Sequence, residues 1–242
     1  MLAYGYGGWW FDMWGGWFSD PELLDVLAKT QQFHSTFPPS QGERMKPQIG
    51  VVVDEEISFW DPTYGHLTEN ILSNRYPLAK TGTSYDLFLR TDLKSMPTTQ
   101  YKVVWLMGFL ELTSKEESRI KKWNKRGITV LWTNGKGTKI FDPNEGELYM
   151  DGKFKWSASE LGERWGKAGV HRYIDTEDVF YIGRNWMGIH TIEGGERTIN
   201  FPFKAQVIDP LENKILHDAT RQFQLTLKPK STVLLRVNPL ED

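Results

Sequence analysis

The middle of the chain alternates between apolar runs and polar, helix-forming segments, and this alternation constrains the fold more than any other feature. Four apolar runs are the strand candidates: QIGVVVD, YDLFLRTDL, YKVVWLMGF and ITVLWT. Between them, GHLTENILSNRYPLAK and TSKEESRIKKWNKRG have the composition of helices. Thr113 or Ser114 can cap the second helix, and Gly127 lies just beyond its end. Alternation at this spacing predicts an α/β fold, a flavodoxin-like parallel sheet covered by helices.

The two ends of the chain differ from this middle part. Near the start, SDPELLDVLAKTQQF predicts a helix, with Ser19 or Asp20 as its cap and Pro21 in its first turn. Near the end, short alternating strands separated by EGGE, DPLENK and KPKS predict a small antiparallel β-sandwich. We therefore predict three domains: an aromatic strand–helix segment (1–44), an α/β domain (45–169) and a C-terminal β-sandwich (170–242).

Composition argues against several classes of function. The net charge of the 242 residues is −2, which gives no electrostatic basis for binding nucleic acid or an anionic membrane. The one basic run, RIKKWNKRG, lies where a helix should end, so we interpret it as a solvated helix face. No apolar run approaches the ~18 residues of a membrane span. The start of this chain does not resemble a signal peptide. We expect a soluble protein and leave its compartment open.

Metal and cofactor sites are also not expected. The chain has no cysteine, which excludes a disulfide framework, a thiolate nucleophile and a cysteine-type zinc site. The five histidines are scattered without a metal-binding spacing. The loop NGKGT follows a strand but lacks the spacing of nucleotide-binding glycine loops. We predict no metal and no cofactor.

The first candidate site is a cluster of three acids after the first strand of the sheet. Asp54, Glu55 and Glu56 follow IGVVV, at the end of the strand where open α/β folds bind ligands. Crowded carboxylates raise one another's pKa, which produces general acids. The alternative is that two of them face solvent or cap a turn. Gly108 occupies the position after VVWLM where amidotransferase-like sheets carry a nucleophile, so no nucleophile is expected there.

The second candidate site is the aromatic cluster near the start of the chain. It consists of Trp9, Trp10, Asp12, Trp14 and Trp17. Indole faces stack on sugar rings and a carboxylate binds hydroxyl groups, so this composition is typical of a sugar subsite. The alternative is that the rings are buried core. A glycosidase needs two carboxylates at ~5–10 Å, and no second acid beside Asp12 is evident.

Taken in order, these segments resemble the C-terminal portion of β-galactosidases of glycoside hydrolase family 42. GGWWFDMWGGWFSDPEL resembles the last strand and helix of their (β/α)₈ barrel. KPQIGVVVDEEISFW through YKVVWLMGFLELTSKEESRIKKW resembles their amidotransferase-like trimerisation domain, and AGVHRYIDTEDVFYIGRNW onward resembles the terminal β-sandwich. The resemblance implies action on β-linked sugars and a middle domain that serves assembly. It places the five aromatic-cluster residues on the sugar side, while the catalytic glutamates of earlier barrel strands have no counterpart in these residues.

Three hypotheses for the function follow. In the first, the protein is a sugar-binding and oligomerisation module without the usual barrel glutamates. In the second, it is a small β-galactosidase-like hydrolase whose site is rebuilt from Asp12 and the Asp54, Glu55 and Glu56 cluster, within one chain or across a subunit interface. In the third, it is a purely structural oligomerisation protein. An isolated barrel unit would expose a large apolar patch, so we expect a homo-oligomer or a partner chain that carries the rest of the barrel.

Overall fold

The structure is a computed structural model of the chain, and the residues that it describes fall into two compact units. One unit is Lys46–Val179, called the central unit below. The other combines Met1–Met45 with Phe180–Asp242 and is called the terminal unit. The division into three domains at residues 44 and 169 stays a prediction. The described residues are 2–4, 15–16, 19–38, 45–61, 65, 67–97 and 99–241.

A six-stranded sheet organises the central unit. Its strands are β1 (Ile49–Val53), β2 (Tyr85–Leu89), β3 (Val103–Met107), β4 (Thr129–Thr133), β5 (Gly137–Asp142) and β6 (Gly146–Asp151). Their order is β2-β1-β3-β4-β5-β6, in which the first four strands are parallel and the last two antiparallel. The predicted α/β class with a parallel sheet is confirmed. The hairpin of β5 and β6 is additional, and it begins where the side chain of Asn134 accepts hydrogen bonds from the N–H groups of Lys136 and Gly137.

Helices cover both faces of this sheet. The described α-helices of the chain are α1 (Pro21–Thr36), α2 (Ile57–Trp60), α3 (Arg75–Ala79), α4 (Ser114–Lys125) and α5 (Ala158–Lys167). On one face Val51 and Trp105 pack with Trp165 of α5, and on the other Val104 packs with Trp123 of α4. Both faces of the parallel strands are therefore apolar, which explains why these strands read as continuous apolar runs. No helix among the described residues is long and apolar enough to cross a membrane.

The segment GHLTENILSNRYPLAK does not form the single helix that its composition predicts. The structure has a π-helical turn (Leu67–Ile71), a 3₁₀ turn (Leu72–Asn74) and the short α3. The fully buried side chain of Asn74 donates to the carbonyl oxygens of Asn70 and Phe154 and accepts from the N–H of Trp156. These tertiary hydrogen bonds, together with the missing N–H of Pro77, interrupt the helix.

The terminal unit contains an antiparallel five-stranded sheet and the helix α1. The strands are β7 (Val179–Gly183), β8 (Trp186–Thr191), β9 (Gly195–Asp209), β10 (Lys214–Leu227) and β11 (Ser231–Pro239), in the order β10-β9-β11-β8-β7. β9 pairs antiparallel with β10 and β11, and β11 pairs antiparallel with β8, so the antiparallel prediction is confirmed. The N-terminus of α1 is capped by Asp20, whose side chain accepts from the N–H groups of Glu22 and Leu23.

One end of α1 contacts the sheet of the terminal unit. Phe33 and Phe37 lie with ring centroids 6.2 and 6.3 Å from that of Trp186. Leu24 and Val26, nearer the other end, are exposed. The predicted helix is thus confirmed, and part of its apolar surface faces outward.

Candidate functional site

The predicted carboxylate cluster lies at the carboxyl edge of the parallel sheet. Asp54 directly follows β1, and its N–H donates to the carbonyl of Met107 at the end of β3 (3.0 Å). Its carboxylate is buried and accepts from the N–H of Glu56 at 3.1 Å. Glu55 is half-buried and Glu56 is exposed as the chain turns into α2. The cluster therefore occupies the edge where open α/β sheets place their sites, as predicted.

Arg90, the first residue after β2, is the centre of the hydrogen-bond network at this edge. Its Nη1 donates to Oδ2 of Asp54 at 2.6 Å. Its Nη2 and Nε donate to the two carboxylate oxygens of Glu116, at 2.7 and 2.8 Å. Nη2 also donates to the carbonyl of Glu111 (3.1 Å), and the guanidinium lies 4.6 Å from the ring centroid of Phe109. One arginine thus connects the ends of two strands to the start of α4.

Arg90 also positions Glu55 through its backbone. One oxygen of Glu55 accepts the N–H of Arg90 at 2.8 Å, and the other accepts the hydroxyl of Thr91 at 2.7 Å. Burial by itself raises the pKa of Glu55, but the hydrogen bonds from Thr91 and from neighbouring backbone N–H groups outweigh it, so the pKa is lowered. This direction is opposite to the raised pKa that crowding predicts, and it disfavours Glu55 as a general acid at neutral pH.

Glu116 has a second structural role at the start of α4. Its carboxylate accepts the N–H of Thr113, whose hydroxyl in turn accepts the N–H of Glu116, so the two residues form a capping box. Burial raises the pKa of Glu116, but the hydrogen bonds from Arg90 and Thr113 outweigh this and lower it. Burial in turn lowers the pKa of Arg90, and its bonds to Glu116 and Asp54 outweigh this and raise it. Arg90 and Glu116 are therefore both charged at neutral pH.

A cavity of about 460 Å³ opens beside this network. Asp54 and Arg90 form part of its wall, and the exposed side chains of Glu56 and Trp60 line it as well. Among the described residues no ion pair involves Glu56. Trp60 is 70% exposed, which is unusual for a large aromatic side chain. The exposed indole ring of Trp60 can stack on a sugar ring, and the carboxylate of Glu56 can accept hydrogen bonds from the hydroxyl groups of that sugar.

The residue after β3 is Gly108, which adopts the backbone conformation of a tight turn and has no side chain that could react. Gly108 has φ +77°, and its N–H donates to the carbonyl of Thr133. A Cβ at this position would lie 2.8 Å from Cδ1 of Ile57, which is closer than packed atoms approach. Gly108 therefore contributes conformation and close packing rather than a reacting group.

The other predicted site residues lie outside the described part of the chain. These are Trp9, Trp10, Asp12, Trp14 and Trp17. Their proximity to one another and to sugar stays a prediction. Within the ranges that the structure describes, no group of three or more histidine, aspartate or glutamate side chains is arranged to hold a metal ion.

Arg90 and Trp60 are the residues at this edge that sequence reasoning missed. Arg90 directly follows the strand candidate YDLFL, and β2 pairs with β1 in parallel register, Leu89 opposite Val53. That register places Arg90 opposite Asp54. The sequence does contain an arginine and an aspartate at the same ends of two strand candidates. Inferring their contact from sequence would have required knowing that these two strands are neighbours in the sheet.

Comparison with known proteins connects this fold to β-galactosidases. No family model matches the chain, and no curated protein sequence matches it. Solved structures that resemble it include the β-galactosidase from Bacillus circulans sp. alkalophilus, with a TM-score of 0.59, 12% identity and coverage of 90% of this chain and 44% of that chain. The family GH42 β-galactosidase Gan42B gives a TM-score of 0.55 at 10% identity, covering 92% of this chain and 44% of that chain.

A third example is the β-galactosidase from the haloarchaeon Halorubrum lacusprofundi, with a TM-score of 0.52, 11% identity and coverage of 90% and 43% of the two chains. At this level of identity the likeness concerns the fold alone. The chain therefore has the fold of a part of family 42 β-galactosidases and spans less than half the length of the enzymes that it resembles, which confirms the predicted resemblance.

Proposed function

We propose that these residues form a glycoside-hydrolase-related module that binds carbohydrate and forms assemblies, without the glutamates that act in the barrels of the enzymes it resembles. The observation that carries the proposal is that two of the three carboxylates at the sheet edge are already held by hydrogen bonds. Asp54 is paired with Arg90, and Glu55 is held by hydrogen bonds from residues 90 and 91 with a lowered pKa. Carboxylates engaged in this way stabilise the fold and are poorly suited to proton transfer.

Sugar binding is supported by the cavity beside these carboxylates. Glu56 and Trp60 line it and are exposed, so both can contact a ligand without disturbing the core. The β-galactosidases of similar fold act on β-galactosides by their names, so β-linked galactosides are the first ligands to test. The cluster of Trp9, Trp10, Asp12, Trp14 and Trp17 is the second predicted contact surface for sugar.

Assembly is supported by exposed apolar side chains in both units. Leu24 and Val26 on α1 are 47% and 56% exposed, and Phe59 on α2 is 81% exposed. Contiguous exposed apolar surface commonly marks an interaction site, so the surfaces around these side chains are the candidate interfaces. We propose a homo-oligomer or a complex with a partner chain that carries barrel units. Light scattering of the purified chain tests this proposal, and a well-behaved monomer with no partner would contradict it.

A small β-galactosidase-like hydrolase is the second candidate, and the exposure of Glu56 favours it. Of the three acids at the sheet edge, Glu56 is the one whose side chain Arg90 and Thr91 do not engage among the described contacts. A second carboxylate such as Asp12, from the same chain or from a neighbouring subunit, would complete a pair. Nitrophenyl β-galactoside and β-glucoside are the substrates to use. Turnover that is abolished in Asp12→Asn or Glu56→Gln, with folding intact, would establish the second candidate in place of the first.

The sugar-binding experiment compares two neighbouring aromatic residues. Saturation-transfer NMR with lactose and methyl β-galactoside detects binding without relying on tryptophan fluorescence. Trp60→Ala should weaken binding about fivefold, since a stacked ring contributes roughly 1 kcal/mol. Phe59→Ala is the matched control, because Phe59 is more exposed than Trp60 and does not line the cavity. Absence of binding to any sugar would leave the purely structural oligomerisation protein as the remaining hypothesis.

A further inference from the structure

A second concave surface of the central unit lies between α4 and the turn that follows β2. It is an open groove of about 680 Å³. Its charged lining residues are Lys94, Lys115, Arg119, Lys122 and Arg126, and among the described residues that line it none is acidic. Five cationic groups thus border one groove.

The helix geometry explains how these cations come together. Lys115, Arg119 and Lys122 of α4 are spaced by four and three residues, which places them on one face of the helix, and Arg126, its C-cap residue, follows four residues later. With a rise of about 1.5 Å per residue they extend over ~16 Å. Lys94 faces them from the 3₁₀ turn Arg90–Lys94. Three cations of the basic run that sequence alone assigns to a solvated face, Arg119, Lys122 and Arg126, thus line this groove.

The concentration of charge is local to this groove. The chain as a whole has a net charge of −2. Among the ion pairs of the described residues, none includes Lys94, Lys115 or Lys122. Glu116, on the same helix, is turned away and bound by Arg90. Lys94, Lys115 and Lys122 therefore bring positive charge to the groove without an ion-pair partner among the described residues, and a row of like charges raises the local concentration of anions.

We infer that this groove binds an anionic polysaccharide, one that carries sulfate or carboxylate groups along its chain. The inference rests on the proposed carbohydrate function and adds a charged class of ligand at a separate surface. Lysine and arginine groups spaced along ~16 Å match a polymer with repeated anionic groups better than a single small anion. The hydroxyl groups of Ser114 and Ser118, which also line the groove, can accept hydrogen bonds from the hydroxyl groups of such a chain.

The lining favours a glycan over the other polyanions. Single-stranded nucleic acid is bound by exposed aromatic rings on which bases stack, whereas Trp123, the aromatic residue of the groove, is only 4% exposed and packs in the core. A membrane presents a flat anionic surface, which favours a protruding basic patch over a concave one. A flexible anionic sugar chain fits inside the groove and needs no stacking surface.

The experiment measures binding of the full chain to heparin and to dextran sulfate, with unsulfated dextran as the neutral polymer. The groove variant Lys115→Gln/Lys122→Gln should bind the sulfated polymers about three- to tenfold more weakly, as expected for two lost surface charge contacts. Lys121→Gln/Lys125→Gln is the matched control. It removes the same charge from the same helix, and both lysines are exposed and lie outside the groove lining. Binding by the control variant should change less than twofold.

Each outcome has a defined meaning. Selective loss in the groove variant, together with weaker binding at higher salt, supports the inference. Equal losses in both variants would show that only net charge matters and would overturn it, as would the absence of binding to sulfated polymers. Single-stranded DNA or polyphosphate bound as tightly through Lys115 and Lys122 would overturn the glycan assignment. Binding of neutral galactosides that depends on Trp60 is a separate readout, so failure of the proposed function is distinguishable from failure at this groove.

Discussion

Replacing Arg90 by leucine should destabilise the central unit strongly, because it leaves two buried carboxylates without their cation. The side chains of Asp54 and Glu116 are 7% and 14% exposed, and that of Arg90 is 26% exposed. Removing one partner of a buried ion pair costs about 3–5 kcal/mol. Since Arg90 keeps some contact with water and water can enter the space that it leaves, we expect a loss of about 2–4 kcal/mol in the free energy of unfolding.

The assay is urea unfolding followed by circular dichroism, with hydrogen exchange to localise the effect. With a urea dependence of about 2 kcal/mol per M, the midpoint should fall by about 1–2 M, and amides of β1 and β2 should lose protection. Arg90→Lys keeps the charge but not the planar fork, so it should recover less than half of the loss. Arg75→Leu is the matched control, because Arg75 is exposed and contacts the ring of Tyr76 at the surface. A midpoint shift in Arg90→Leu no larger than that in Arg75→Leu would refute the reasoning.

Two further predictions follow from described residues. The pKa values of Glu55 and Glu116 are lowered from 4.5, so their contribution to stability is complete above pH 4.5 and is lost as the pH falls through the lower folded values. The urea midpoint should therefore be flat from pH 7 to about 4.5 and fall below that, less steeply in Glu55→Gln; an equally steep fall in that variant would contradict the assignment. Gly82→Ala should cost at least ~2 kcal/mol more than Gly127→Ala in the same urea assay. Both glycines have positive φ, but only at Gly82 would a Cβ meet a backbone oxygen, that of Ile174 at 1.9 Å, so equal losses would show that this close approach is unimportant.

The parallel strands and the best-capped helices were predictable from sequence because local rules determine them. Val51 and Val52 face opposite sides of the sheet and are both buried, so β1 is an uninterrupted apolar run. Thr113, one of the two predicted cap residues, begins α4, and in the structure it forms a capping box with Glu116.

The helix α5 shows why another element was missed. Gly162 and Gly166 weaken its helical pattern, although the pair Ser157 and Glu160 forms a capping box that the sequence displays. The helix is stabilised by tertiary packing instead, because its Leu161 and Trp165 are fully buried in the cluster that contains Val51 and Trp105. A preference set by a partner distant in sequence cannot be read from the local pattern.

The candidate site was predictable only in its location. Asp54 and Glu55 follow a strand at the edge where ligands bind, which sequence identifies. Asp54 is paired with Arg90, 36 residues further along the chain, and this contact requires the register between β1 and β2. Crowded acids would raise one another's pKa, whereas in the structure hydrogen bonds from residues 90 and 91 outweigh burial and help to lower the pKa of Glu55.

The glycine after β3 has an evolutionary consequence. A serine or cysteine at Gly108 would pay about 1–2 kcal/mol for the left-handed backbone and would also press on Ile57, which is 1% exposed. A nucleophile at this elbow therefore requires a compensating change at Ile57, the first residue of α2, and neither substitution is useful alone. New reactivity in the central unit has a shorter mutational path at exposed positions such as Glu56.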